Sequence, residues 1–128
     1  MRRTRTVLLA LVIGGGALLA GCGMPQSRSA PTSTSCWGTP VADDIVSAFN
    51  GTGQQGWALT IAYRESRCDP GARNRSGAVG LFQLVGHDDL LARVCPSFPP
   101  SVSGTDAHCN ARAARLLYDM AGRSPWGG

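Results

Sequence analysis

Apolar residues recur at helical spacing in the first half of the region after Cys36. Trp57, Ala58, Ile61 and Ala62 predict a helix over about 54–67, and Asp69-Pro70-Gly71 closes it. A shorter helix is expected from Asp43 or Asp44 to about Phe49, because Asn50-Gly51 is a typical helix stop.

The second half of this region alternates between turn residues and apolar pieces. Residues 72–80 are expected to form an ordered turn or small hairpin, 88–94 a short helix at best, and 95–105 a loop. A last long helix is expected from Thr105 or Asp106 to Gly122. Its predicted apolar face consists of Ala113, Leu116, Leu117 and Met120. The pattern predicts an α+β, mainly helical domain.

The first 35 residues have a different character. Arg2, Arg3 and Arg5 precede an uncharged run over 7–20, whose 14 residues are fewer than the roughly 20 that span a membrane. The following Leu19-Ala20-Gly21-Cys22 resembles the lipobox of bacterial lipoproteins. The resemblance implies lipidation of Cys22 and anchoring at the outer face of the cytoplasmic membrane. An ordinary signal peptide with a chance Cys is the alternative.

These features divide the chain into three predicted parts. Residues 1–21 are a signal peptide, 22–35 are the lipidated Cys with a Ser/Thr/Pro-rich tether, and 36–128 are the folded domain. Without 1–21 the chain keeps nine Arg and eight acids, so its net charge is 9 − 8 = +1. Such a balance gives no reason to expect nucleic-acid binding. We expect a monomer.

Four cysteines remain in the predicted domain: Cys36, Cys68, Cys95 and Cys109. An even number in a small exported domain indicates two disulfides, for which three pairings exist. We favour Cys95–Cys109, which brackets a Pro/Ser/Gly-rich loop, together with Cys36–Cys68. A zinc site is the alternative, but the chain has no Cys-x-x-Cys pair, so no metal or other cofactor is expected.

Glu65 is the only glutamate in the chain and stands near the end of the best-defined predicted helix. A helix-end ion pair with Arg64, Arg67 or Arg73 is one interpretation. The neighbouring sequence suggests another, because Glu65-Ser66 is followed by Ser76-Gly77-Ala78 and then by Gly80-Leu81-Phe82-Gln83. Over roughly 54–122, including Asn110 and its surroundings, the chain resembles the lytic transglycosylase family, which has a lysozyme-like fold.

The resemblance implies cleavage of peptidoglycan between N-acetylmuramic acid and N-acetylglucosamine, with Glu65 as the catalytic residue and a 1,6-anhydro product. A carboxylic acid donates a proton near neutral pH only if its pKa is raised, as burial among apolar groups does. Trp57, Tyr63, Leu81 and Phe82 are the candidates for the apolar surroundings of Glu65. Further substrate-binding candidates are Ser66, Gly80, Phe82 and Gln83. His87 is interpreted as a surface residue, Asn110 as a residue that caps or braces the last helix, and Tyr118 as core.

One departure from the family concerns a later Ala-Tyr-Asn segment, whose Tyr contacts the catalytic Glu in many members. Residues 122–128 do not contain it, and Trp126 is the candidate to fill that space or to floor the groove. Two alternatives therefore stay open. Beside the predicted lytic transglycosylase, these are a muramidase that uses water and a non-catalytic lipoprotein that binds peptidoglycan.

Overall fold

The computed structural model describes residues 33–128, so the predicted signal peptide and Cys22 lie outside the described residues. Within this range the chain forms five α-helices and one short 3-10 turn. They are α1 (Ala42–Ala48), α2 (Gln55–Ser66), α3 (Asp88–Val94), α4 (Pro100–Ser103), α5 (Ala107–Ala121) and the 3-10 turn (Ser124–Trp126). Extended pairing in this part of the chain consists of the antiparallel bridges Arg73–Val79 and Val79–Leu84. The predicted mainly helical α+β architecture is confirmed.

Helix α5 is the centre of the domain and packs against α1 and α3. The Asp106 carboxylate caps it by accepting from the Cys109 N–H at 2.8 Å, and Gly122 follows its last residue, as predicted. The predicted apolar face is wrong at Met120, which is 69% exposed. The buried stripe runs instead through Asn110, Ala113, Ala114 and Leu117, because these positions face α1, α3 and the segment before α3.

Two arginines of α5 join it to the helices on either side. Arg112 Nη1 donates to the Val94 carbonyl at 3.0 Å, at the end of α3. Arg115 Nη1 donates to the Ala48 carbonyl at 3.1 Å, at the end of α1. The last carbonyls of a helix lack partners within it and carry partial negative charge, so each guanidinium satisfies a helix C-terminus.

The described region contains the two disulfides favoured from the sequence, Cys36–Cys68 and Cys95–Cys109. The first fastens the chain before α1 to the end of α2. The second joins the end of α3 to the first turn of α5. A domain of this size has a small core, so cross-links that restrict the unfolded chain add substantially to its stability. The result is a small lysozyme-like domain stapled by two disulfides.

The expected loop over 95–105 contains one element that the pattern missed. Helix α4 begins at Pro100, where proline fits the first helical position because its missing N–H has no helical partner there. Its four residues are too few for a hydrophobic period to be visible in the sequence. None of the helices within 33–128 is long and apolar enough to cross a membrane.

Candidate active site

A cavity of about 130 Å³ lies where three parts of the domain meet. The end of α2 contributes Glu65, and the segment before α3 contributes residues 82–85 and His87. Leu117 of α5 and the 3-10 turn, through Pro125 and Trp126, complete the wall. Pockets for drug-sized ligands hold roughly 300–1,000 Å³, so this one fits a single sugar substituent or ring rather than a long glycan segment.

Glu65 reaches this cavity and makes an ion pair at the same time. Arg64 donates to Glu65 Oε1 from Nε at 2.9 Å and from Nη2 at 2.7 Å. The Glu65 side chain is 27% exposed, whereas that of Arg64 is 52% exposed. The two interpretations of Glu65 drawn from the sequence are therefore compatible, since the carboxylate pairs with Arg64 and also lines a cavity with Gln83.

The end of α2 has an unusual backbone that sets the direction of the chain after Glu65. Arg67 and Cys68 have positive φ angles of 56° and 66°, which residues with a side chain rarely adopt. The Arg67 N–H bonds back to the Tyr63 carbonyl at 2.9 Å and the Cys68 N–H to the Ala62 carbonyl at 3.5 Å, so both residues are bonded to the last turns of α2. The Cys36–Cys68 disulfide holds this turn two residues after Ser66 and so fixes the helix end that carries Glu65.

The opposite wall is held in place by one buried amide. Asn110 is fully buried, and its Oδ1 accepts from the Phe82 N–H at 3.0 Å. Its Nδ2 donates to the carbonyls of Val79 at 3.0 Å and Gly104 at 2.9 Å. Asn110 therefore braces the segment that leads into Phe82 and Gln83, whereas the cap of α5 expected from Asn110 is provided by Asp106.

Gln83 presents its amide oxygen as the part still available to a ligand. Its Nε2 donates to the carbonyls of Ala72 at 3.2 Å and Gly80 at 3.0 Å, so the nitrogen is occupied by the chain itself. Its φ of 48° places the backbone in the left-handed region. A non-glycine residue held there costs of order 1–3 kcal/mol and marks a conformation imposed by the surrounding structure.

An aromatic cluster contributes two of its five rings, Phe82 and Trp126, to the cavity wall. Its members are Phe49, Trp57, Phe82, Tyr118 and Trp126, whose contacting rings have centroids between 5.5 and 6.1 Å apart. Trp126 is 7% exposed, and its Nε1 donates to the Phe82 carbonyl at 3.1 Å. Tyr118 belongs to the core, as predicted. The indole of Trp126 is thus a fixed wall of the cavity beside Glu65.

Two predicted substrate-binding residues have other contacts in the structure. Ser66 is buried, and its hydroxyl donates to the Ala62 carbonyl at 2.9 Å within α2. Gly80 is also buried, and a Cβ built there would lie 2.2 Å from Asn110 Nδ2 and from the Gly104 carbonyl. The absence of a side chain at Gly80 therefore serves close packing against α5, and neither residue lines the cavity.

Of the four residues expected to form apolar surroundings for Glu65, only Phe82 lines the cavity with it. Trp57 contacts the Trp126 ring edge to face, and Tyr63 stacks on the Arg67 guanidinium at 4.6 Å. Leu81 is fully buried in the core. For Tyr63 the reason is the helical period, because residues two positions apart on α2 point to nearly opposite faces.

His87 is half-buried and lines the cavity together with Glu65 and Gln83, so a residue expected at the surface also belongs to the site. No motif surrounds it, and the turn at Gly86 that brings it to the wall could not be read from the pattern. Within 33–128 no cluster of three or more His, Cys, Asp or Glu side chains could hold a metal ion.

Fold and cavity together define a small lysozyme-like domain with one carboxylate at a cavity of about 130 Å³. The family model for the Transglycosylase SLT domain matches residues 48–89, which are 42 of the 128 residues of the chain. The match covers α2 with Glu65 and the segment through Gln83 and His87. Comparisons with curated proteins and with solved structures found no match. The similarity therefore covers two walls of the cavity, and the third comes from α5 and the 3-10 turn.

Proposed function

We propose that the domain cleaves peptidoglycan glycan strands as a lytic transglycosylase and that Glu65 transfers the proton. The observation that carries the proposal is that Glu65 and Gln83, both within the segment similar to the SLT domain, line one cavity. Glycoside cleavage requires a proton on a poor leaving oxygen, and a carboxyl group beside the bound sugar can supply it.

The reaction proceeds in two proton transfers through the same carboxyl group. Glu65 first protonates the oxygen that links N-acetylmuramic acid to N-acetylglucosamine, and the bond from that oxygen to the anomeric carbon breaks. The carboxylate then removes the proton of the muramic acid 6-hydroxyl, whose oxygen bonds to the anomeric carbon. The products are a free N-acetylglucosamine end and a 1,6-anhydro end, and Glu65 regains its proton without water.

The other cavity residues have binding roles in this proposal. The amide oxygen of Gln83 accepts from an acetamido N–H or a sugar hydroxyl, because its nitrogen is occupied by backbone carbonyls. Phe82 and Trp126 provide apolar surface for a sugar face. Ser66 and Gly80 do not line the cavity. Ser66 bonds within α2 and Gly80 packs against Asn110, so each stabilises an element that forms a wall. We further propose that Cys22 is lipidated and holds the domain at the outer face of the cytoplasmic membrane, facing its substrate.

Substitution of Glu65 by Gln tests the proposal. The variant keeps the shape of the side chain and loses the transferable proton, so we expect clearing of a peptidoglycan zymogram by the wild type and none by Glu65→Gln. The control is Asp43→Asn, which removes one exposed carboxylate from α1 and should clear like the wild type. Equal clearing by Glu65→Gln and wild type would rule out the proposed role of Glu65.

Mass spectrometry of the soluble products separates this reaction from hydrolysis. An anhydro end is one water lighter than a reducing end, so reducing ends alone would identify a muramidase. A binding role without cleavage is the second candidate, and the Arg64–Glu65 ion pair favours it because a paired carboxylate is also a structural device. Sedimentation with purified cell wall, without any clearing by the wild type, would establish that role.

A further inference from the structure

Arg64 connects Glu65 to the most distant part of the chain that forms the cavity. Its Nη2 donates to Glu65 Oε1 at 2.7 Å and also to the carbonyl of Trp126, 62 residues further along. Trp126 in turn donates from its indole nitrogen to the Phe82 carbonyl. These bonds link all three walls of the cavity, from α2 through the 3-10 turn to the segment before α3.

The contact between Arg64 and Glu65 is not a consequence of helix geometry. Side chains of adjacent helical residues point about 100° apart, and pairs that meet on a helix are normally three or four residues apart. Arg64 does not line the cavity and is the more exposed of the two. Its guanidinium therefore contacts a cavity residue without being part of the cavity wall itself.

Both guanidinium bonds end on the same carboxylate oxygen. Arg64 Nε and Nη2 donate to Oε1, whereas Oε2 accepts from no group within residues 33–128. The guanidinium is planar, and its Nη2 also donates to the Trp126 carbonyl, so its position is fixed. Two bonds from this fixed group to Oε1 restrict rotation of the carboxylate. Oε2 is then the oxygen left for the substrate.

We propose that Arg64 is a positioning residue, which fixes Glu65 Oε1 against the 3-10 turn so that Oε2 transfers the proton. The role of Oε2 rests on the proposed function. The competing view is a surface ion pair, which contributes about 0–1 kcal/mol and has no effect on a reaction.

The experiment uses the fact that Glu65 is the only glutamate. Protein labelled with carbon-13 at the glutamate side-chain carboxyl gives one carboxyl signal by NMR, and its chemical shift reports the surroundings of Glu65. The variants are Arg64→Gln and Arg64→Lys. The control is Arg75→Gln, because Arg75 is exposed and takes part in none of the ion pairs within the described region.

We expect Arg64→Gln to shift the carboxyl signal and the Trp126 indole N–H signal, and Arg75→Gln to shift neither. On soluble glycan strands, Arg64→Gln should lower kcat about 10–100-fold while KM stays within about twofold, because a misplaced catalytic group affects the reaction more than binding. The kcat of Arg64→Lys should lie between those of Arg64→Gln and the wild type, since lysine keeps the positive charge but lacks the planar set of guanidinium donors. Thermal unfolding midpoints of all variants should match the wild type.

The two kinds of measurement separate the failure of this inference from that of the proposed function. Unchanged carboxyl and indole signals in Arg64→Gln would overturn the inference, whether or not the protein cleaves glycan. An unchanged kcat in an active enzyme would overturn it as well. If the wild type cleaves no glycan, the proposed function and the role of Oε2 both fail, and the signals then decide only whether Arg64 positions the carboxylate.

Discussion

At the scale of single residues, Asn110 shows how a polar side chain in the core can build a site that it does not touch. Its amide uses one acceptor and two donors, and all three bonds end on backbone groups of Phe82, Val79 and Gly104. Gly80 packs directly against this amide, where a side chain would collide with it. The backbone of the Gly-Leu-Phe-Gln segment is therefore shaped by contacts on its buried side.

Replacement of Asn110 by Ala should destabilise the domain by roughly 2–5 kcal/mol. The variant leaves the Phe82 N–H and the Gly104 carbonyl without partners, whereas the Val79 carbonyl still accepts from the Leu84 N–H. Each unsatisfied buried group costs about 1–3 kcal/mol. Urea unfolding followed by circular dichroism measures the loss. The control is Asn50→Ala, whose side chain is exposed and which should change the free energy of unfolding by less than about 0.5 kcal/mol. Equal losses in the two variants would contradict the bracing role.

At the scale of elements, the end of α2 depends on a cross-link as much as on helix propensity. Two consecutive residues with positive φ follow Ser66, and the second of them is bonded to Cys36. The other disulfide joins α3 to α5, away from the helix end that carries Glu65. The two disulfides therefore have similar effects on stability and different effects on the site.

Loss of either disulfide should lower the free energy of unfolding by about 3–4 kcal/mol, because the closed loops have sequence separations of 32 and 14. The paired serine variants Cys36→Ser/Cys68→Ser and Cys95→Ser/Cys109→Ser test this by urea unfolding. At urea concentrations where both variants are still folded, the cleavage rate of Cys36→Ser/Cys68→Ser should fall about tenfold or more, because the end of α2 that carries Glu65 is no longer held in place. The second pair is the control and should stay near the wild-type rate. The reverse order would refute this account.

The elements that carry a long hydrophobic period could be predicted from the sequence, and the rest depended on tertiary contacts. Helices α2 and α5 were predicted with their end signals, Asp69-Pro70-Gly71 and Gly122. Helix α4 was missed because four residues show no period. The residues of the site divide in the same way, into those that a sequence motif contains and those that only tertiary contacts bring there. Glu65, Phe82 and Gln83 stand within matched motifs, whereas His87 and the contact of Arg64 with Trp126 exist only through the fold.

At the scale of the whole molecule, the charges of the described region balance. Residues 33–128 contain eight Arg and eight Asp or Glu, so the net charge is 8 − 8 = 0 with neutral His. A neutral domain gains little from the long-range attraction that draws basic proteins to anionic lipid. Within the proposed function, we therefore expect retention near the cell wall to depend on the proposed lipidation of Cys22.

Substitution of Cys22 by Ala should move the protein from the membrane pellet to the soluble fraction. Lipid chains contribute about 0.8 kcal/mol for each buried methylene, and two anchoring signals are needed for stable attachment. The control is Ser27→Ala in the predicted tether, which should stay in the pellet. High salt should not release the wild type, because the neutral domain has little attraction to the lipid surface that salt could screen. A Cys22→Ala protein that stays in the pellet would overturn the lipobox interpretation. Release of the wild type by high salt would show that an electrostatic contact, and not a lipid anchor, attaches the protein to the membrane.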